Sequence, residues 1–430
     1  MRPTFSGRTC AAFHPRRILP PMRCYFALAF LLTTPQIFAD TWHLPLTAPV
    51  HRKHPLLVNY CQILGPDTNI PDLPQRLAQW DVLILAPDVV LSHPLSLSDI
   101  RKINPNIKIL AWVPMQSPSD PRLKAMIPAD AANLWGCRDA AGKLIIASWG
   151  DPIFNPWVDH FAWPRAVNTY IEKYCLSPTA GYDGVMLDCL AETPWGGTVD
   201  VDGDGKAMTL ADTLTWQAGM SDLLSNLRRE FPAAILTGNG GNPWSSRCPY
   251  FHWASGVMNE NVLGNEWQDQ TWQYCWDGID ATLSEVKNRP PFHFIQVDIR
   301  RDRSQAECAT AQSLTPDDLR RFRLGLTTSL LRDHTYFGFD RGDCLHGQLW
   351  WFDEYDADLG DPIAPFDQNK FGKNTFSREF QNGIVICNPS STAATVNLKQ
   401  SARDISTKQS GQVFTVPPSD GRIFVYTARN

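Results

Sequence analysis

Between residues 56 and 339 the chain repeats one pattern eight times: a short apolar run, then a longer segment of mixed polarity. The runs are 56-LLVNY-60, 81-DVLILA-86, 107-IKILAWV-113, 183-DGVMLD-188, 234-AILTGN-239, 256-GVMNE-260, 292-FHFIQV-297 and 335-TYFGF-339. Several lack strict polar alternation, which is how a parallel strand covered on both faces reads. Helical patterns lie between them at 72–79, 97–103, 163–174, 210–231 and 315–332. The last opens with Thr-Pro-Asp-Asp: a capping residue, a proline at the first helical position and acids in the first turn. The rhythm predicts an α/β fold, a (β/α)8 TIM barrel over 56–366. A doubly wound open sheet would want a Gly-rich phosphate loop after a strand, and none follows any run.

Past Asp367 the texture changes. Runs at 375–398 and 412–427 are strand-like, with Asn382-Gly383 and Asp420-Gly421 as expected turns. A small C-terminal antiparallel β domain over 367–430, with a structural role, is the expectation.

The other end reads as a targeting segment. Met22-Arg23 precedes the apolar run Tyr25–Leu32, which is too short to span a membrane and fits a signal peptide cleaved after Ala39. Residues 1–39 are therefore expected to be a signal peptide, with Met22 as an alternative start, and 40–55 a lead-in. The mature chain is expected to be exported, secreted or periplasmic, with no membrane span, and to act as a monomer. A net charge of −5 offers no basic excess to neutralise phosphates, which argues against nucleic-acid partners. Nine cysteines remain in the mature chain without a CxxC or a Cys/His cluster, so a structural zinc is not indicated. Export makes one or more disulfides plausible, with the odd count leaving a thiol over.

In such a barrel the C-terminal strand ends form the active face. What stands there is Tyr60, Trp112, Asp188, Asn239, Asn259 with Glu260, Asp298 and Asp340. Strand-end acids also cap helices or pair with arginines, and Asp298 beside Arg300 and Arg301 reads equally well that way. Asp188 and Glu260 face each other across the pocket from the fourth and sixth strands, near neighbours on the barrel, surrounded by tryptophans, with no metal or nucleotide motif; this suits glycosidic hydrolysis, one carboxyl protonated and the other ionised. The chain has 16 tryptophans, which serve either as core or as flat platforms for a sugar ring. Trp149, Glu192, Trp195 and Trp350 join the expected substrate-binding set. Asp183, at the start of the fourth run, is read as structural, and Cys189 as packing or half of a disulfide. No cofactor is required. Asp200, Asp202 and Asp204 alternate ahead of Gly205 like the opening of a calcium loop, but the twelfth position is Ala211, with Asp212 one residue late. A structural Ca2+ site there competes with a solvated acidic turn.

The strand 181-GYDGVMLD-188, Asn239-Gly240 after the fifth run and Asn259-Glu260 after the sixth resemble the hypothetical glycosyl hydrolase 15-like group and the related endo-α-1,4-polygalactosaminidases. Supporting stretches are 104-NPNIKILAWV-113, Trp149 with Asn155-Pro156-Trp157, and 376-FSREFQNGIVICNPS-390. The resemblance implies Asp188 as nucleophile and Glu260 as general acid/base acting on a polysaccharide, by a retaining route if the two lie close. A non-catalytic carbohydrate-binding protein on the same barrel is the alternative. An esterase or deacetylase is disfavoured by the absence of a G-x-S-x-G elbow and of a His-rich metal set.

Overall fold

The computed structural model describes residues 53–61, 70–93, 95–195, 199–201, 204–240, 249–263, 271–286, 291–299, 304–310, 313–342, 346–347 and 349–427. The expected signal peptide and most of the lead-in lie outside these residues, as does Asp202.

The apolar runs form eight strands: β1 (Val58–Cys61), β2 (Val82–Leu85), β3 (Lys108–Pro114), β4 (Gly184–Asp188), β5 (Ile235–Asn239), β6 (Gly256–Asn259), β7 (His293–Asp298) and β8 (Thr335–Asp340). They pair in sequence order, every pair parallel. The ring closes through a parallel bridge between Leu57 and Phe337, whose N–H donates to Leu56 O at 3.0 Å. This is the (β/α)8 barrel that the eight-fold rhythm predicts.

Alternation within the strands decides what reaches the barrel mouth. Val58, Leu110, Met186, Met258 and Phe294 share one cluster inside the barrel, while Leu57, Ile109, Leu187, Val257 and Ile295 pack outward under the helices. Side chains two residues apart share a face. Stepping on from Met186 therefore aims Asp188 inward, and Met258 does the same for Glu260. The step from Phe294 passes through Gln296 to Asp298, and that from Tyr336 through Gly338 to Asp340. The interior is tight enough to demand glycine in the 181–188 motif: a Cβ on Gly184 would lie 2.0 Å from Ile235 O.

The expected helices appear, with ends shifted by a residue or two. Leu210–Glu230 and Pro316–Leu330 each begin with a reciprocal capping box, Thr209 with Asp212 and Thr315 with Asp318. The helix Val158–Tyr174 starts with Asp159, His160 and Phe161 at left-handed φ of 50°, 53° and 63°, so its regular part begins beside the expected Trp163. Helices at Pro87–Ser92, Trp272–Glu285 and Gln305–Thr310 were not anticipated. The second is rich in Trp, Tyr and Asp, which are modest helix formers, and its helicity comes from burying those rings.

A second sheet holds β9 (Asp367–Gln368), β10 (Phe376–Phe380), β11 (Gly383–Asn388), β12 (Ala394–Asp404), β13 (Ser410–Val416) and β14 (Asp420–Tyr426). It is antiparallel throughout, ordered β13-β12-β14-β11-β10-β9. The two-residue turn between β10 and β11 is Gln381-Asn382, one residue ahead of the expected Asn-Gly pair, and Gly383 opens β11 opposite Phe380. Asp420-Gly421 does not turn. Both residues lie in β14, and the chain reverses just before them, where Ser419 has φ 49°. Gly421 is needed for close approach instead: a Cβ there would meet Arg323 O at 2.4 Å, on the helix Pro316–Leu330. Asp420 accepts both arms of the Arg323 guanidinium at 2.8 and 2.9 Å.

Candidate active site

The mouth of the barrel is organised around Asp188. The residue after it, Cys189, has φ 55°, a left-handed turn that folds its own N–H back onto Asp188 Oδ1 at 2.9 Å. Asn239 Nδ2, from the end of β5, donates to the same oxygen at 2.9 Å. The Trp112 indole, inward-facing on β3, donates to Oδ2 at 3.0 Å and to Tyr60 Oη at 3.2 Å. Burial raises the Asp188 pKa, and the donors from Asn239, Cys189 and Trp112, with the nearby His346, pull back against it.

Asn239 also reaches across the pocket: its Nδ2 donates to Glu260 Oε2 at 2.7 Å. One amide nitrogen thus spends its two hydrogens on two carboxylates. The Asp188 and Glu260 oxygens that it joins can be no farther apart than those two bonds laid end to end, 2.9 and 2.7 Å, or 5.6 Å. The other Glu260 oxygen, Oε1, lies 3.5 Å from His346 Nε2.

His346 was not foreseen. It sits in the loop after β8, six residues past Asp340, and no spacing in 340-DRGDCLH-346 marks it. Its Nδ1 lies 2.9 Å from Asp340 Oδ2 and its ring packs on Tyr60 with centroids 4.4 Å apart. Gln296, equally unforeseen, is fully buried and donates to Asp340 Oδ1 at 2.6 Å.

The structure thus brings Tyr60, Trp112, Asp188, Asn239, Glu260 and Asp340 together. Burial and the charges of Asp188 and Glu260 push the Tyr60 hydroxyl well above its ordinary pKa. The same causes push up the Cys189 thiol, so it is held as the neutral, unreactive form. Asn259 stands apart: the alternation that aims Glu260 inward turns it out, where it pairs in register with Ile295 of the outer layer. Asp298 is buried in register with Asp340, and its carbonyl accepts from Arg321 at 3.0 Å. Trp350 is a buried wall under Arg341, 5.4 Å from guanidinium carbon to ring centre, and lines a small cavity with Tyr60, Asp340 and His346.

Trp149 and Trp195 are exposed, at 40% and 45%. Both are pinned just past β3: the Trp149 indole donates to Ser117 Oγ at 2.8 Å, and the Trp195 backbone N–H to Gln116 Oε1 at 2.6 Å. Gln116 Nε2 in turn donates to Cys189 O at 2.8 Å, which ties this rim to the turn behind Asp188. Glu192 is half-buried in the same loop. Trp80, Trp135, Trp163, Trp216, Trp272 and Trp276 are core.

Elsewhere, Asp183 accepts from Arg101 at 2.8 Å and from Ile109 N at 2.9 Å, a structural clamp at the opposite end of β4. Asp200 accepts from the backbone N–H groups of Asp204 and Gly205 at 3.1 and 2.9 Å, Asp204 pairs with Lys206, and Asp212 is spent on the helix cap. Among the described residues no group of three His, Cys, Asp or Glu is gathered as a metal site. Cys137, Cys175, Cys189 and Cys387 are not in disulfides. No helix among the described residues is long and apolar enough to cross a membrane.

A search of curated protein sequences returns no match. Among solved structures, the glycoside hydrolase domain of PelA from Pseudomonas aeruginosa is similar at 14% identity, with 69% of this chain and 98% of that one covered and a TM-score of 0.43. Amy13B from Eubacterium rectale is similar at 9% identity, with 87% and 95% covered and a TM-score of 0.50, a likeness of fold alone. The sequence profile of hypothetical glycosyl hydrolase family 15 matches residues 101–384, a span that runs from before β3 into β11 and includes Asp188, Asn239, Glu260 and His346, and the chain belongs to that family.

Proposed function

We propose that this barrel hydrolyses a glycosidic bond within a polysaccharide by a retaining, two-carboxylate route. The observation that carries the proposal is the Asn239 bridge, which holds Asp188 and Glu260 oxygens within 5.6 Å, the sum of its bonds of 2.9 and 2.7 Å. The bound is on Oδ1 and Oε2, the two oxygens that Asn239 joins, and it favours the retaining spacing of about 5–5.5 Å between carboxyl groups over the inverting one of about 6.5–9.5 Å.

Asp188 is the nucleophile. Its three N–H donors favour the ionised form, and Oδ2, which accepts the Trp112 indole alone among them, is the oxygen with room to attack the anomeric carbon. Glu260 is the acid/base. Asn239 occupies Oε2, so Oε1 carries the proton. The proton passes to the leaving oxygen as the glycosyl ester forms on Asp188. Water then attacks that ester, gives a proton back to Glu260, and frees the sugar with its configuration kept. The indoles of Trp149 and Trp195, exposed at the rim and tied to the turn behind Asp188, suit the C–H faces of an extended sugar polymer. The targeting features up to Ala39 support action outside the cytoplasm.

The test is reducing-end release by the chain from Asp40 onward on a polysaccharide panel that includes α-1,4-linked galactosamine polymers. Release that disappears in both Asp188→Asn and Glu260→Gln supports the pair. Release that survives both removes the assignment. Binding to one polymer without release, in the unaltered protein, would favour a carbohydrate-binding role.

A further inference from the structure

We propose that His346 is a positioning residue for Glu260, held by Asp340 so that its Nε2 and Glu260 Oε1 share one proton; the inference rests on the hydrolytic reading of the Asp188–Glu260 pair. The contacts form a loop that leaves β6 and returns to it. The backbone N–H of Asn261 donates to Gln296 Oε1 at 2.7 Å, which fixes that amide's orientation. Gln296 Nε2 then donates to Asp340 Oδ1 at 2.6 Å, where Gly342 N also donates at 2.6 Å. Asp340 Oδ2 faces His346 Nδ1 at 2.9 Å. His346 Nε2 faces Glu260 Oε1 at 3.5 Å, one residue from where the loop began. Gln296, Asp340 and His346 are 0%, 3% and 3% exposed, so bulk water does not compete for the contacts among these three.

The chemistry follows from donor and acceptor roles. Asp340 accepts on both oxygens, so the imidazole must carry its hydrogen on Nδ1. Nε2 is then the nitrogen whose proton comes and goes. When Glu260 is the acid, its Oε1–H donates to the Nε2 lone pair or points at the leaving oxygen. When Glu260 has given that proton to the leaving oxygen, Oε1 and Nε2 are both without it until the attacking water returns one, which Nε2 can then hold against the carboxylate. Among the described residues, the titratable groups placed against the ring are Tyr60 from β1, Asp188 from β4, Glu260 after β6 and Asp340 from β8. Three of the four are carboxyls. A histidine among them serves as the local cation, and its orientation is set by the one carboxylate that lies away from the proposed chemistry.

The experiment is ¹⁵N NMR of the imidazoles in the full chain from Asp40 onward, labelled at histidine, with His346 assigned by the signals lost in His346→Gln. The expected neutral form carries its hydrogen on Nδ1. Glu260→Gln should lower the His346 pKa by on the order of one pH unit, since it removes an anion from Nε2. Asp340→Asn should lower it too and move the hydrogen of the neutral form to Nε2. Glu260→Asp, which withdraws the charge without removing it, gives a smaller downward shift and serves if the amide variant misfolds. A His346 titration that is the same with and without the Glu260 charge, or a neutral form already protonated on Nε2 in the unaltered protein, overturns the proposal. Neither readout needs turnover, so its failure is distinct from a failure to find hydrolysis.

Discussion

β4 carries an aspartate at each end of its motif, five residues apart in 183-DGVMLD-188. At the barrel bottom, Asp183 meets Arg101 at 2.8 Å and Lys108 at 3.7 Å, and it accepts the N–H of Ile109. Its charge is matched, and it ties the start of β4 to the start of β3. At the mouth, Asp188 has no arginine or lysine partner among the described residues. It is offered an amide, an indole and a backbone N–H, and it faces a second carboxylate across Asn239. Neutral donors hold a carboxylate without quenching it. The difference teaches that partner type, more than burial, separates an acid that braces a fold from one left available for chemistry.

The largest effect should come from the mouth. Asp188→Asn is expected to lower turnover by about 10³-fold or more, and Glu260→Gln by about 10²–10⁴-fold, read as reducing-end release. Residual turnover near the unaltered rate in Asp188→Asn would erase the contrast between the two aspartates. Asn239→Ala removes the shared donor; kcat should fall about 10²-fold, as expected for losing hydrogen bonds to charged groups. At the bottom, Asp183→Ala should cost about 1–3 kcal/mol in chemical denaturation while activity per folded molecule stays. A kcat loss without a stability loss would mean that the ends are not separable.

The smaller effects are pH-dependent. Burial raises the Asp188 pKa, so the neutral carboxyl suits the fold better than the ion. That favourable term is fully present below the unfolded value of about 3.8 and is lost as pH rises through the raised folded value. Asp188→Asn should therefore raise the melting temperature at neutral pH and give no gain near pH 3, by calorimetry. Trp112→Phe removes a donor to the ionised form, which lets the pKa rise further, so the acid limb of kcat/KM should move to higher pH. A shift to lower pH would mean that the indole does not stabilise the anion.

The barrel and both ends of β4 were legible because strand periodicity is local: an apolar run with an acid two residues past an inward position announces itself. Asp188, Glu260, Asn239, Trp112 and Tyr60 follow from that rule. It also explains Asn259, which the list of strand ends included but alternation points outward. His346 was not legible because its role depends on where a loop returns after β8. Gln296 was hidden as a polar residue inside an apolar strand, although its parity matches that of Asp298. The Asp420-Gly421 pair misled because a glycine tolerates two tasks, turning and close approach, and tertiary packing chose the second.

That packing has a mechanical consequence. From Arg321 to Leu330 the helix that receives Gly421 has no exposed side chain: one side lies against β7 and β8, and Thr328 reaches Cys387 of β11 at 3.6 Å. A helix enclosed in this way cannot shed the second sheet without baring its apolar flank. Barrel and sheet should therefore melt together as one cooperative unit, and a chain cut before Asp367 should aggregate rather than yield a smaller working barrel.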